Sequence, residues 1–178
     1  VVADGYWQAK KALDNLSVEF SDGGNSAAEQ GSIFSQFADE LDSAAAEGRE
    51  KSDFIAGNAA AALDGAANVI EAEYRVPFLA HAAMEPMNCT AAVDGDRCRI
   101  WAPTQFPNWA ARATSEALKI PAANVSVEIT LIGGGFGRRI NPDYAVEAAL
   151  VAAQAHAPVK VTWSREDDMR HDFYRPAA

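Results

Sequence analysis

The chain has 178 residues, 49% hydrophobic and 22% charged, with a formal net charge of −10. This composition excludes wholesale disorder, allows one ordinary domain or a small domain plus part of another, and argues against a general nucleic-acid surface, which needs clustered Lys and Arg. No apolar run approaches the roughly 20 residues that a membrane helix needs.

The acidity is uneven. Residues 1–66 hold 12 Asp and Glu against 4 Lys and Arg, whereas residues 67–178 hold 13 against 11. The balanced part carries Arg138, Arg139, Arg165, Arg170 and Arg175, so a local anion site is compatible with the global charge. The chain starts at Val1, shows no basic and apolar leader, and stops abruptly after Tyr174-Arg175-Pro176. We read it as a piece of a longer protein.

In chain order, Tyr6, Trp7, Lys10, Leu13 and Leu16 recur with helical spacing, and Val18 and Phe20 then alternate as a short strand. Ser21 to Asn25 is a turn cluster. Ile33, Phe34, Phe37 and Leu41 form an apolar stripe that predicts a helix near 29–46, and a shorter helix is expected near 53–64. Val69 to Val76 reads as a strand ending at Pro77. Cys89–Val93 and Cys98–Trp101 make a hairpin about Asp94-Gly95. A two-residue turn there puts both cysteines on one face, diagonally offset, and free thiols are expected. Pro107 opens a helix over 107–118, and Val125, Val127, Ile129 and Leu131 alternate as a strand. An Ala-rich helix runs from Pro142 or Asp143 to about His156, and Pro158–Ser164 is the last strand. The fold class is α+β, mixed strands with packed helices.

Between the strand at 125–131 and the Ala-rich helix lies Gly133-Gly134-Gly135-Phe136-Gly137-Arg138-Arg139. A glycine-rich loop lets backbone N–H groups approach a ligand, a helix N-terminus adds partial positive charge, and arginines can grip a phosphate. No GK[ST] closes the loop, and the glycine spacing is not GxGxxG. A tight turn alone is the competing reading. Phe136 either packs against a flat ligand or plugs the local core. Gln105, after Trp101-Ala102-Pro103-Thr104, either offers an amide hydrogen bond to an oxo or carbonyl oxygen or faces water. Glu85 is read as a structural carboxylate bonded to nearby amides, with acid–base work as the alternative. The charges of Arg165 to Asp168 and Arg170 to Asp172 read as a solvated ion-pair network, with an interface as the rival.

These pieces together resemble the molybdenum-binding subunit of the xanthine dehydrogenase and aldehyde oxidase family. The resemblance rests on the glycine loop after Trp101-Ala102-Pro103-Thr104-Gln105. It rests also on His81-Ala82-Ala83-Met84-Glu85-Pro86-Met87-Asn88 and on Val161-Thr162-Trp163-Ser164-Arg165-Glu166-Asp167-Asp168. Arg138-Arg139 and Arg170-His171-Asp172-Phe173-Tyr174-Arg175-Pro176 resemble the branch of isoquinoline 1-oxidoreductase beta subunits and aldehyde dehydrogenase large subunits.

The resemblance implies a molybdopterin cofactor, in its cytosine dinucleotide form, with molybdenum held by the cofactor rather than by protein side chains. Gly134, Gly135, Phe136 and Gly137 would line it, Gln105 would bond an oxo group, and Arg138 and Arg139 would lie close by. The reaction would be hydroxylation of an aldehyde or aromatic N-heterocycle with water as oxygen source. Electrons would pass to iron–sulfur clusters on a small two-iron two-sulfur partner subunit, with a cytochrome c as a further candidate partner. Ile140 stands where purine-oxidising relatives carry a glutamate, which argues against a purine. No position matches the family's general-base glutamate, so the piece alone would be inactive. The branch also implies a periplasmic or membrane-associated setting. Residues 1–20 would end a preceding hammerhead-like domain, 21–66 would be an acidic connector, and 67–178 would begin the cofactor-binding domain. The rival functions are a non-redox phosphate or nucleotide module built on Gly133–Arg139 and an assembly domain docking through its acidic face.

Overall fold

The computed structural model describes residues 1–47 and 56–178. They divide into two compact units, one of residues 1–18 and 79–175, the other of residues 19–78 and 176–178.

The first unit contains helix α1 (Tyr6–Leu13), which buries none of its residues, and a four-stranded sheet with its helices. Strands β1 (Asn88–Asp94) and β2 (Arg97–Ala102) form the hairpin. Helix α4 (Pro107–Leu118) leads to β3 (Val125–Ile129), helix α5 (Asp143–Ala155) to β4 (Val159–Thr162), and helix α6 (Arg165–Arg170) follows. The spatial order is β3-β2-β1-β4, with β1 antiparallel to β2 and β4, and β2 parallel to β3. The mixed α+β architecture is the one expected.

One face of this sheet is the core. Cys89, Ala91, Cys98, Ile100, Ala102 and Val125 turn inward, and Ala145, Ala148, Ala149 and Ala152 of α5 lie fully buried against them. Four alanines on one helical face let the helix axis approach the sheet closely. The other face shows Arg97 and Arg99, and the Arg99 guanidinium stacks 4.7 Å from the Trp101 ring centroid.

The hairpin turns at Gly95-Asp96, not Asp94-Gly95. Asp94 pairs with Arg97 and Val93 with Cys98, and Gly95 takes φ +56° at the first central position, as a type II′ turn requires. Cys89 and Cys98 share a face but sit farther apart along the ladder than expected. Both are buried and free.

In the second unit, α2 (Gln30–Glu47) matches the predicted helix, and the Arg75 guanidinium lies 5.8 Å from the Phe34 ring centroid. Helix α3 (Ala59–Asp64) starts at an Asn58 cap, while positions 53–55 of the shorter predicted helix lie outside the described residues. The expected strand at 69–76 does not form. Residues 69–76 make no ladder, Ile70 is 95% exposed, and only Val76 exchanges backbone hydrogen bonds, with Ala178. The strand after α1 is likewise absent. Among the described residues, no helix is long and apolar enough to cross a membrane.

Candidate cofactor site

The sheet topology builds the site. The start of β1 and the ends of β2, β3 and β4 lie at one end of the sheet. The segments 81–87, 103–106, 130–139 and 163–175 therefore converge there, although they are far apart in sequence.

The glycine loop is shaped from beneath. Gly133 N–H donates to Glu85 Oε2 at 2.7 Å, and Gly133 O accepts from Glu85 N–H at 3.1 Å. A Cβ on Gly133 would stand 2.5 Å from Glu85 Cβ, and one on Gly135 would stand 2.5 Å from Gln105 Oε1. Gly134 and Gly137 take φ of +97° and +98°. Steric closeness and left-handed backbone thus demand glycine on this loop.

Gln105 is tied in place. Its N–H donates to Arg139 O at 3.1 Å, beside Thr104 Oγ1 at 3.2 Å from the same carbonyl. Gln105 Oε1 accepts from Gly137 N–H at 3.1 Å. A backbone N–H can only donate, so the amide oxygen faces the loop and the Nε2 hydrogens are left to bond elsewhere. Among the described residues, the Gln105 Nε2 amide and the N–H groups of Gly134, Gly135 and Phe136 donate to no protein atom. Phe136 is 63% exposed with φ +52°, and its carbonyl accepts from Arg175 Nη2 at 3.0 Å. It does not plug the core.

The two arginines turn inward. Arg139, 0% exposed, donates from Nε to Gly134 O at 2.7 Å and from Nη2 to Glu85 O at 2.6 Å and Glu85 Oε2 at 3.1 Å. Arg138, 1% exposed, makes a bidentate pair with Asp143 at 2.9 and 2.7 Å. Its Nε lies 3.1 Å from Asp172 Oδ1 in an ion pair without hydrogen-bond alignment. The rings of Phe173 and Trp163 flank its guanidinium, at 4.9 and 5.5 Å. Arg138 Nε apart, both guanidinium groups are engaged with protein atoms around and below the loop.

The loop also does not run straight into a helix N-terminus. A 3-10 turn at Arg138–Ile140, then Asn141 and Pro142, separate it from α5, and the first residue of α5, Asp143, is neutralised by Arg138. The unpartnered donors are therefore loop amides and not those of a helix N-terminus.

Glu85 plays the structural part expected of it. Partial burial pushes its carboxyl up. Hydrogen bonds from Asn88 Nδ2 and Gly133 N–H and the charge of Arg139 outweigh this and hold it below the usual carboxylate range.

The segment 165–175 carries partners that sequence reasoning did not foresee. Asp168 and Asp172 are not solvated: their side chains are 3% and 2% exposed. Asp168 accepts from Arg165 and from Met87 N–H, and Arg165 Nη2 donates to the carbonyls of Ala83 and Met84. Asp172 binds the His81 ring at Nδ1 and its backbone N–H. Helix α6 was foreshadowed by Ser164 three residues before Asp167, which form a reciprocal capping box.

A family profile described as molybdopterin cofactor-binding domain matches residues 40–178. The chain belongs to the molybdopterin cofactor-binding domain family. Among its relatives, the aldehyde oxidoreductase molybdenum-binding subunit PaoC of Escherichia coli O157:H7 is 34% identical over 142 residues, 79% of this chain and 19% of that protein. The isoquinoline 1-oxidoreductase subunit beta of Brevundimonas diminuta is 33% identical over 106 residues, 59% of this chain and 14% of that protein. This molybdopterin-binding chain thus spans less than a fifth of the length of these relatives. The aldehyde oxidoreductase of Desulfovibrio gigas shares its fold, with a TM-score of 0.56 at 16% identity over 68% of this chain and 14% of that one. A non-redox phosphate module finds no support in these relationships.

The residues present fit the cofactor of this family. Unpartnered donors on Gly134, Gly135, Phe136 and Gln105 suit a ligand rich in acceptor oxygens, and the glycine cradle leaves the backbone bare for it. Among the described residues no cluster of His, Cys, Asp or Glu is placed to hold a metal ion directly.

Proposed function

We propose that this molybdopterin-binding chain forms part of a molybdenum-dependent oxidoreductase that hydroxylates an aldehyde or an aromatic N-heterocycle, with water as the oxygen source. The observation that carries the reading is the set of unpartnered donors, three successive loop amides and the Gln105 Nε2 amide, on a loop of the family that binds this cofactor. When bound, the molybdenum cofactor supplies the two-electron oxidation that converts a C–H bond and water into C–OH, two protons and two electrons.

The chain's own residues bind and orient. The Gln105 amide, locked by Gly137 N–H, donates to an acceptor oxygen of the bound group. The amides of Gly134, Gly135 and Phe136 serve as further donors, and Gly137 holds the turn open. Phe136, exposed on a left-handed backbone and anchored by Arg175, shields that group from water. Arg138 and Arg139 lie next to the bound group and support the site from below by fixing the loop through their bonds to Asp143, Gly134 and Glu85. Ile140, exposed beyond the loop, offers no polar group to a purine's ring atoms and favours an aldehyde or another aromatic N-heterocycle.

The names of the relatives, a "molybdenum-binding subunit" and a "subunit beta", give only that such proteins have more than one subunit, and the finer assignments extend the family resemblance. We place the cofactor in its cytosine dinucleotide form, the electron acceptor on a small two-iron two-sulfur partner, and the general base outside this chain. Residues 67–178 are the cofactor-binding part, 21–66 the acidic connector, and 1–20 the end of a preceding domain. Metal analysis of the protein made in a cofactor-producing host, with release of any bound nucleotide, tests the reading. Near-stoichiometric molybdenum with a cytosine nucleotide is expected. Folded protein free of both molybdenum and pterin would overturn it.

A further inference from the structure

We propose that residues 69–76 are one strand of an antiparallel ladder whose other strand is the stretch of the longer protein directly after Ala178. The inference rests on the reading of this chain as part of a longer subunit, and it takes nothing from the cofactor.

One pair of that ladder is already formed. Val76 N–H donates to Ala178 O at 2.7 Å, and Ala178 N–H donates to Val76 O at 2.9 Å. Such a reciprocal exchange is the hydrogen-bonded pair of an antiparallel ladder. Pro77 and Pro176 stand on one side of it, and neither has an N–H with which to continue the pairing. The other side is open. The backbone runs from Asn68 to Val76 without a turn or bend, and no N–H of residues 69–75 donates to a described residue. Hydrogen-bonded pairs recur at every second residue. The next ones therefore set Tyr74, Ala72 and Ile70 opposite the second, fourth and sixth residues after Ala178.

The side chains fit the same geometry. Ile70, Ala72, Tyr74 and Val76 alternate with Glu71, Glu73 and Arg75, the period of a strand with one apolar face. The charged face has partners. The Glu73 carboxylate accepts from Arg75 Nε, and the Arg75 guanidinium lies over the Phe34 ring. The apolar face is bare, with Ile70 95% and Tyr74 85% exposed. An open backbone edge beside bare apolar side chains is a template for another strand.

The pair at Val76 and Ala178 also selects the occupant. The residues after Ala178 start on this edge, so their pairing closes no new loop. A second copy would instead bring its own Glu71 and Glu73, and a net charge of −10, to a chain of the same charge. The relatives are long enough to supply such a strand, since this chain covers 19% of one and 14% of another. The occupant is an extended segment with apolar side chains at the second, fourth and sixth positions after Ala178.

The test uses the full-length subunit. Amide hydrogen exchange read residue by residue should find Ile70, Ala72 and Tyr74 about a hundredfold slower than Glu71, Glu73 and Arg75, whose N–H groups point away from the new strand. Fast exchange at all of them overturns the ladder, and the reverse alternation overturns its register. A cross-link identifies the occupant. Glu73→Cys faces the third residue after Ala178 in a non-hydrogen-bonded pair, the closer kind in an antiparallel ladder. The Glu73 side chain is 71% exposed, so this change leaves the fold intact. A disulfide within one molecule is expected with a cysteine at that third residue, and not with one at the fourth, which points to the opposite face. No disulfide with either, or equal yield with both, overturns the proposal. A disulfide joining two molecules also overturns it and gives the edge to a second copy. The two readings fail separately. Metal-free protein that still cross-links removes the cofactor alone, and molybdenum-loaded protein that does not cross-link removes the ladder alone.

Discussion

Arg139 Nη2 donates both to the main-chain oxygen of Glu85, at 2.6 Å, and to the Glu85 carboxylate, at 3.1 Å. The same guanidinium reaches Gly134 O through Nε, so one buried cation joins the segment before β1 to the glycine loop after β3. Arg139→Ala leaves Glu85 without its charge partner and empties fully buried volume. Because the Glu85 side chain is 32% exposed, the loss comes chiefly from the emptied volume and the carbonyls left without donors, and roughly 2–4 kcal/mol is expected, measured by urea unfolding. Loss below about 1 kcal/mol would show that the strut is dispensable.

The Glu85 carboxyl sits below its ordinary value of 4.5 in the folded chain. Its contribution to stability is therefore present above pH 4.5 and lost as the pH falls through the lowered folded value. Glu85→Gln should flatten the acid limb of a stability-versus-pH curve below pH 4.5, and an unchanged limb would contradict this.

Gly135→Ala places a methyl group 2.5 Å from Gln105 Oε1. Gln105 must withdraw and lose its bond to Gly137 N–H. Because the Gln105 side chain is exposed, the fold should survive with a loss of about 1 kcal/mol. Bound molybdenum should fall much more than thermal stability does. Parallel falls would mean that the loop is structural only.

Gln105→Ala removes one donor aimed at the bound group. In cofactor-loaded protein, kcat should drop about 100-fold, in line with removal of one preorganised donor elsewhere, with cofactor content little changed. Unchanged turnover would remove Gln105 from the site.

The thiols give a prediction independent of any cofactor. Burial, with a smaller push from Cys98, raises the Cys89 thiol from 9.0 to about 12, and burial raises Cys98 to about 11. Both should resist alkylation at pH 8 until the chain unfolds. The sign of the linkage follows. The unfolded thiols lose their protons from about pH 9 while the folded ones keep theirs, so stability is intact below pH 9 and declines as the pH rises toward 11 to 12. Fast labelling of native protein at pH 8 would contradict the burial of these side chains.

Much of the first unit was legible because its signals are local. The turn signal near Asp94-Gly95 marked β1 and β2, Pro107 marked the start of α4, and the Ala-rich run after Pro142 marked α5. The glycine loop stood out by composition, but a tight turn alone and a core-plugging Phe136 remained open in the sequence until the structure showed that ring 63% exposed. What failed was partnership. Residues 69–76 carry strand composition, yet propensity supplies no neighbouring strand, and Ile70 remains exposed. The helix-dipole expectation failed because nothing local announces the 3-10 turn at Arg138–Ile140. Asp168 and Asp172 read as surface charges because their partners, Met87, His81 and Arg138, lie far away in sequence. Burial of a charge is decided by what folds back over it, and single-sequence patterns do not report that.

The clasp of 165–175 on 79–87 sets an order of events during synthesis. His81 and Asp172 are 91 positions apart, and Ala83 and Arg165 are 82 apart. On a ribosome the segment 79–87 emerges early, and Glu85 can meet Gly133 and Arg139 once the glycine loop is out, but the bonds to Arg165, Asp168 and Asp172 wait until that stretch has cleared the exit tunnel. Strands β1 to β3 can pair before then, whereas the clasp on His81, Ala83 and Met87 cannot close. The nascent protein therefore passes through an interval with three paired strands and an open clasp.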